Sequence, residues 1–236
     1  MGDANIVRSI VPLLGGLCVM GALLGGSGSA LGAEAPGPSA SQDLESVLSA
    51  IPDVKAGARR FALCAQCHGA DGAGLAQART PAIAGQHARV LAKQLVAYRH
   101  SVRWDPEMEK VASRHILKSP QEIADIVAYV AQLNPPAQTS VGTREWIGRG
   151  QRVYGTRCRA CHGAQAEGNA ALLVPRLAGQ RCDYLLRQLR EVLDGRRPSL
   201  ESVHMGALHK LDAQELEGLA DYISRLSPGT LQHVSR

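Results

Sequence analysis

The amino-acid sequence predicts an all-α protein built from two similar domains in tandem. One observation is an internal repeat, because Cys64 and Cys158 lie 94 residues apart and short motifs around them recur at the same offset. Each copy of such a repeat is one structural unit. A second observation is the helical spacing of apolar residues, for example at Ile123, Ile126 and Val130. No stretch alternates between apolar and polar residues as a half-buried strand would.

The first 33 residues have the order of a secretory signal peptide. Arg8 stands in the charged N-terminal part, an apolar stretch covers residues 11–24, and small residues follow up to Ala33. This order predicts a cleaved signal peptide at 1–33 and export of the mature protein. For the rest of the chain we expect a flexible lead-in at 34–43, a first domain at 44–133, a linker at 134–142, a second domain at 143–228 and a tail at 229–236.

Each domain is expected to contain about three main helices joined by irregular loops. The third helix begins at a capping box, in which an N-terminal Ser or Asp is followed three residues later by Glu. In the first domain we expect the first helix to contain Gly57 and Phe61, the second to run from about His87 to Arg99, and the third to begin at residues 119–122. In the second domain the corresponding expectations are a first helix with Gly150 and Tyr154, a second from about Cys182 to Leu193, and a third that begins at residues 212–215.

A five-residue motif, Cys-x-x-Cys-His, occurs once in each half. It is the attachment signature of a c-type haem, in which two thiols bond to the haem vinyl groups and the histidine becomes the proximal iron ligand. The sequence therefore predicts two covalently attached haem c groups, each with an iron. Only 3% of the residues are aromatic, so two porphyrins would also supply apolar area for the cores. The motif residues are Cys64, Cys67 and His68 in the first half and Cys158, Cys161 and His162 in the second.

The sixth coordination position of each iron needs a further residue. Outside the expected signal peptide, methionine occurs once in each half, as Met108 and Met205, in both cases between the second and third helices. This matching placement predicts both residues as distal ligands and two closed irons. His204 immediately precedes Met205, which leaves ligation by two histidines open in the second domain.

Two arginines also share the 94-residue offset, Arg103 and Arg197. Pairing with the haem propionates would explain them, and exposure to solvent would explain them equally well. The net charge of +5 comes from scattered rather than clustered Lys and Arg, which argues against nucleic-acid binding.

Two other kinds of site use cysteine pairs. The four motif cysteines together could form a four-thiolate zinc site, but such a site does not explain the histidine that follows each pair. A thioredoxin-like redox pair needs a surrounding βαβ pattern, which neither motif has.

The motifs together resemble class I cytochrome c, and their tandem arrangement resembles the bacterial di-haem cytochrome c-four family. The resemblance rests on Cys-x-x-Cys-His-Gly, a proline 13 residues after each histidine, the Ala-Gly-Gln segments at 84–86 and 178–180, and a methionine ahead of the last helix. It implies that the carbonyls of Pro81 and Pro175 accept hydrogen bonds from the proximal histidines. It also implies that Phe61 and Tyr154 pack against Tyr129 and Tyr222.

The function that follows from this resemblance is electron transfer, not enzymatic turnover. We expect a periplasmic carrier of single electrons from a quinol-oxidising complex or dehydrogenase to a terminal oxidase of a respiratory chain, with peripheral membrane association as one option. A cytochrome subunit of a periplasmic dehydrogenase is an alternative. A di-haem peroxidase is a weaker alternative, because its reactive iron needs an available sixth position.

Overall fold

The structure is a computed structural model that describes residues 37–76, 80–136, 140–197 and 204–227. The signal peptide expected at 1–33 and the tail expected at 229–236 lie outside these residues. Helices and loops make up the described part of the chain, in which the single β-type pairing is an isolated bridge between Asn169 and Val174. No helix in the described ranges is long and apolar enough to cross a membrane.

The first half contains the three expected main helices and two shorter ones. Asp53 caps the first main helix, and Ser119 caps the last through a hydrogen bond from the backbone N–H of Glu122. A helix ahead of them begins at Ala40, inside the expected lead-in, where Ser39 and Gln42 form a full capping box. The helices are α1 (Ala40–Ser49), α2 (Val54–His68), α3 (Ala88–Arg99), α4 (Pro106–Ala112) and α5 (Pro120–Gln132).

The described residues of the second half repeat this order without a counterpart of α1. Its last helix has a full capping box between Asp212 and Glu215, as the sequence predicts. Its first helix is divided by a π-helical segment, Tyr154–Cys158. The α-helices are α6 (Ile147–Val153), α7 (Arg159–His162), α8 (Cys182–Leu193), α9, of which residues 204–208 are described, and α10 (Ala213–Arg225).

Glycines let the first and last helices of each half cross at backbone contact. A Cβ atom added at Gly57 of α2 would lie 2.0 Å from the carbonyl oxygen of Asp125 in α5. A Cβ added at Gly150 of α6 would lie 1.9 Å from the carbonyl oxygen of Gly218 in α10. Any larger residue would therefore push the two helices apart, and these crossings set the frame on which each cysteine–histidine motif is held.

Aromatic pairs pack beside both crossings, as the resemblance implies. The ring centroids of Phe61 and Tyr129 are 5.3 Å apart, and those of Tyr154 and Tyr222 are 5.6 Å apart. Both pairs are tilted rather than stacked, which is a favourable aromatic geometry. The predicted contacts between first and last helices are thus confirmed in both halves.

Two glutamines join the halves by reciprocal hydrogen bonds. The Gln180 amide accepts from the Ala82 N–H at 2.9 Å and donates to the Ala82 carbonyl at 2.8 Å. The Gln86 amide accepts from the Arg176 N–H at 3.0 Å and donates to the Arg176 carbonyl at 2.9 Å. Because residues 82 and 86 correspond to 176 and 180 in the repeat, this interface is pseudo-symmetric.

Candidate functional site

The motif of the first half occupies the last turn of α2. Cys64 is half-buried, Cys67 is exposed and His68 is buried. Spacings of three and four residues place these side chains on one side of the helix. The His68 Nδ1 lies 2.9 Å from the carbonyl oxygen of Pro81, so this nitrogen carries the proton and donates it. The other ring nitrogen, Nε2, then has the free lone pair that a metal requires.

The second half repeats this arrangement at the end of α7. Cys158 is half-buried and Cys161 is exposed, while His162 is buried. The His162 Nδ1 lies 3.2 Å from the carbonyl oxygen of Pro175. The histidine of each motif is therefore oriented by a proline carbonyl 13 residues later, as the resemblance implies.

Burial keeps both histidines in the neutral state that binds metals. It lowers the pKa of His68, against the opposing effects of the Pro81 hydrogen bond and the negative charge of Asp105. It also lowers the pKa of His162, and a nearby histidine, His204, lowers it further. A neutral imidazole with a fixed tautomer is ready to ligate iron without losing a proton.

The thiols are not arranged for zinc or for thiol–disulfide exchange. Burial raises the pKa of Cys64 and of Cys158 to about 11 in each case, whereas reactive thiols in Cys-x-x-Cys redox motifs have lowered pKa values. No two of the four motif cysteines are joined in a disulfide. Within the described ranges no three His, Cys, Asp or Glu side chains come together as a metal site, so the four-thiolate alternative is not formed.

The distal candidates lie on short helices that follow α3 and α8. Met108 is half-buried in α4, and its backbone N–H donates to the Asp105 side chain that caps the helix. His204 and Met205 are both half-buried in α9. The His204 ring centroid is 6.1 Å from that of His162, whereas Met205 packs against the hydrophobic core of the second half. The structure therefore brings a second histidine, His204, close to the histidine of the second motif.

Arg103 and Arg197 lie buried together between the halves, which excludes the solvent-exposed alternative. They are 7% and 9% exposed. Arg103 donates to Gln94 at 2.7 Å and to Gln188 at 2.9 Å, and Arg197 donates to Gln188 at 2.6 Å and to Gln94 at 3.4 Å. The hydroxyl of Tyr184 accepts a further bond from Arg103 at 2.8 Å. No carboxylate in the described part of the chain forms an ion pair with either arginine.

This arginine pair has no directly bonded carboxylate, although the negative charge of Glu191 acts on both guanidinium groups. Burial, and then the neighbouring charge of Arg103, lower the pKa of Arg197 to about 10. The buried Nε of Arg197 also has no hydrogen-bond partner among the described residues. Because buried charges are normally paired, the pair suits anionic groups such as haem propionates. Thiols beside a neutral imidazole, together with buried cations short of anions, fit covalent haem groups.

Sequence reasoning identified the arginines but missed the glutamines that hold them. Gln94 and Gln188 share the 94-residue offset, and so do Gln86 and Gln180. The repeat itself was the signal, since polar residues that recur at matching positions can meet across a pseudo-symmetric interface. Helical periodicity alone could not distinguish them from residues exposed to solvent.

Comparison with known proteins extends over both halves. The cytochrome c family model matches residues 54–134 and again residues 147–227. Cytochrome c4 of Azotobacter vinelandii is 28% identical over 193 residues, which cover 75% of this chain and 90% of that protein. A thiosulfate dehydrogenase electron acceptor of Stutzerimonas stutzeri is 31% identical over 173 residues, which cover 69% of this chain and 78% of that protein.

A solved structure agrees with these matches. Reduced recombinant cytochrome c4 from Pseudomonas stutzeri superposes with a TM-score of 0.66 at 26% identity, covering 75% of this chain and 100% of that one. Two family matches, one on each cysteine–histidine motif, account for two covalently attached haem c groups and for electron transfer rather than enzymatic turnover. The chain belongs to the cytochrome c family, as a di-haem electron carrier similar to cytochrome c4.

Proposed function

We propose that the mature protein carries single electrons in the periplasm from a quinol-oxidising complex or dehydrogenase to a terminal oxidase. When bound, each haem supplies a one-electron couple between ferric and ferrous iron. The observation that carries the proposal is the duplicated site, in which each half offers a buried, neutral proximal histidine and a helix of candidate distal ligands. Two irons closed on both faces suit electron transfer and leave no position for a substrate.

The residues proposed to hold the haem groups act in three ways. Cys64 and Cys67, and likewise Cys158 and Cys161, bind the porphyrin covalently. His68 and His162 ligate iron, with the carbonyls of Pro81 and Pro175 fixing their orientation. Arg103 and Arg197 neutralise propionates at the interface between the halves.

The sequence offers one candidate distal ligand for the first iron and two adjacent candidates for the second. Met108 is proposed for the first iron. For the second iron the methionine count favours Met205, while the adjacent His204 is the alternative. Both residues lie on α9, and either one would close the sixth position, so the carrier function does not depend on the choice.

Of the two kinds of electron donor proposed, a dehydrogenase is the one that a similarity to a known protein favours. The relative from Stutzerimonas stutzeri is named as the electron acceptor of a thiosulfate dehydrogenase. Its match favours a periplasmic dehydrogenase as donor to this chain, either as a free partner or as part of the same complex. Peripheral association with the membrane, released by a high-salt wash, would give access to a membrane-bound donor or acceptor.

One experiment separates the carrier from the peroxidase. The intact mass of the purified mature protein should exceed that of its polypeptide by two haems. Reduced protein should bind carbon monoxide slowly and incompletely, because the irons are closed, and turnover of hydrogen peroxide should be negligible. A mass increase of one haem or none, or rapid carbon monoxide binding together with peroxide turnover, would contradict the proposal.

Export is tested on the same preparation. N-terminal sequencing of protein from the periplasmic fraction should begin shortly after a residue between Ala30 and Ala35. Recovery of the intact N-terminal segment in washed membranes would instead indicate a membrane-anchored cytochrome.

A further inference from the structure

We propose that the distal ligand of the second haem iron is His204, and that Met205 is a core residue beside it. The two haems then differ in axial ligands, with histidine and methionine in the first domain and two histidines in the second. This inference rests on the proposed di-haem function and assigns one ligand within it.

The distance between the two histidine rings matches ligation of one iron from opposite sides. A metal–nitrogen bond of about 2.0 Å and a ring radius of about 1.15 Å on each side require ring centroids about 6.3 Å apart. The centroids of His162 and His204 are 6.1 Å apart. His162 uses its Nδ1 to bond the Pro175 carbonyl, so the nitrogen that remains for iron is Nε2.

Helix register gives an independent argument. α4 ends at Ala112, which is 0% exposed, and the described helical residues of α9 end at Leu208, which is 2% exposed. Four residues before these buried ends, and so on the same helix face, lie Met108 and His204. Counting four residues on from Met205 leads instead to an exposed residue beyond the helix.

The burial of the two helices agrees with this register residue by residue. Residues 108–112 are half-buried, half-buried, exposed, half-buried and buried, and residues 204–208 follow the same order. His204 therefore occupies the structural position of Met108, and Met205 occupies that of Glu109. The methionines match by residue type, but they do not match by position in the fold.

Neighbouring positions on a helix cannot face the same iron. They point about 100° apart around the helix axis, so a segment that aims His204 at the haem turns Met205 away from it. Met205 is among the partly buried side chains that pack against the core of the second half. Methionine is well suited to filling such a position because its side chain is flexible and apolar.

The ligand difference sets the order of the two reduction potentials. Methionine as the second axial ligand raises the potential of a haem relative to histidine. The second haem should therefore have the lower potential, so that electron transfer within the chain is downhill from the second domain to the first. Electrons would enter at the second haem and leave from the first.

The test uses the weak methionine-to-iron band of ferric protein at about 695 nm, measured on full-length protein that carries two haems per chain by mass. Met108→Ala should abolish this band completely, because only one iron has a methionine ligand. Met205→Leu, the matched control on α9, should leave its intensity unchanged. His204→Met should double the intensity and raise the lower of the two reduction potentials.

Opposite results would overturn the assignment. If Met205→Leu halves the band and Met108→Ala removes only the other half, both irons have methionine ligands. If His204→Met does not fold, the response of the wild-type band to Met108→Ala and Met205→Leu still decides the question. Loss of a haem would appear in the mass and would count against the proposed function, separately from the ligand assignment.

Discussion

α2 of the first domain runs unbroken to its histidine, whereas the same path in the second domain passes through α6, a π-helical segment and α7. Cys64 is the third residue after Phe61, but Cys158 is the fourth residue after Tyr154. The π-helical segment spans this interval and accommodates the extra residue, as single-turn π segments do at functional sites. The glycine crossing before the segment and the histidine–proline contact after it are both kept.

The distal sides of the two domains differ more than the proximal sides. Proximal histidines keep the same spacing to their prolines, with no insertion between them. After the shared arginine position, the chain reaches the next short helix by paths of different length, and in the proposed register His204 of α9 corresponds to Met108 of α4. The comparison suggests that the covalent attachment side is geometrically strict, while the distal side accommodates changes of ligand and loop length.

The domains also differ in whether an additional helix packs beside the crossing of the first and last helices. The first domain has α1, which carries Asp43, a side chain that is only 1% exposed. Asp43 accepts hydrogen bonds from Arg99 and His100 and forms an ion pair with Arg114. The described part of the second domain has no helix at this place. Both domains share the bonds of an aspartate on the last helix: Asp125 and Asp221 accept from backbone N–H groups of the segments that precede α2 and α6.

The strongest test of the common frame is substitution at the glycine crossings. Gly57→Ala and Gly150→Ala should each destabilise the protein by about 3 kcal/mol, because the added methyl group would meet a backbone carbonyl that cannot rotate away. Urea denaturation would measure this loss. Gly148→Ala, two residues away on α6 with nothing within 4 Å of the added Cβ, is the matched control. It should be neutral or slightly stabilising.

The comparison would break if the two crossings responded differently. A harmless Gly150→Ala beside a damaging Gly57→Ala would mean that the second crossing can open and that the frame is not shared.

A smaller loss of stability is expected when the contacts of Asp43 on α1 are removed from the first domain. Asp43→Asn should cost about 2 kcal/mol, because Arg99 is left buried without its charged partner but keeps hydrogen bonds to two carbonyl groups. Asp194→Asn is the control, since the ion pair of Asp194 with Arg196 is exposed and contributes little. Chemical denaturation at neutral pH would measure both variants.

The Asp43 contribution should also depend on pH. Burial would raise the pKa of Asp43, but the hydrogen bonds from His100 and Arg99 and the charges of Arg99 and Arg114 outweigh burial and lower it. A lowered pKa means that the stabilisation is present above the unfolded value of about 3.9 and is lost as pH falls through the folded value. The difference between wild type and Asp43→Asn should therefore disappear in acid, and a difference that persists there would contradict this account.

Local chemistry explains which helices were predictable from sequence. α8 was predicted to the residue, and α3 to within one residue, because apolar periodicity and the repeat limit both ends. α1 was missed although Ser39 and Gln42 form a capping box, since the Pro- and Ser-rich composition around it favoured a flexible lead-in. The contacts of Gln86 and Gln180 leave no helical periodicity, so only the shared 94-residue offset of the two residues could have indicated them.

The site was predictable where one short motif contains it. The cysteines and histidines of both attachment motifs follow directly from their spacing, and so do the prolines once the family is recognised. The choice between His204 and Met205 depends instead on the register of α9 relative to its loop. Residue type favours methionine, whereas the burial of the described residues 204–208 favours His204 at the position of Met108.

The smallest expected effect is a shift in the reduction potentials when the arginine pair between the two domains is changed. Arg103→Gln and Arg197→Gln each remove a positive charge from the interface, which favours ferric over ferrous iron and should lower reduction potentials. We expect about 1 kcal/mol, on the order of 40 mV for one electron, from spectroelectrochemical titration. Since both arginines bond to Gln94 and to Gln188, either substitution should lower the potentials of both haems.

Arg196→Gln is the control for this experiment, because Arg196 adjoins Arg197 but is exposed and paired with Asp194. Removing its charge leaves the buried pair intact, so neither potential should change. A shift confined to one haem would assign each arginine to its own domain and remove the electrostatic link between the sites. Unchanged potentials in both buried variants would mean that the arginines hold the domains together without contacting the propionates.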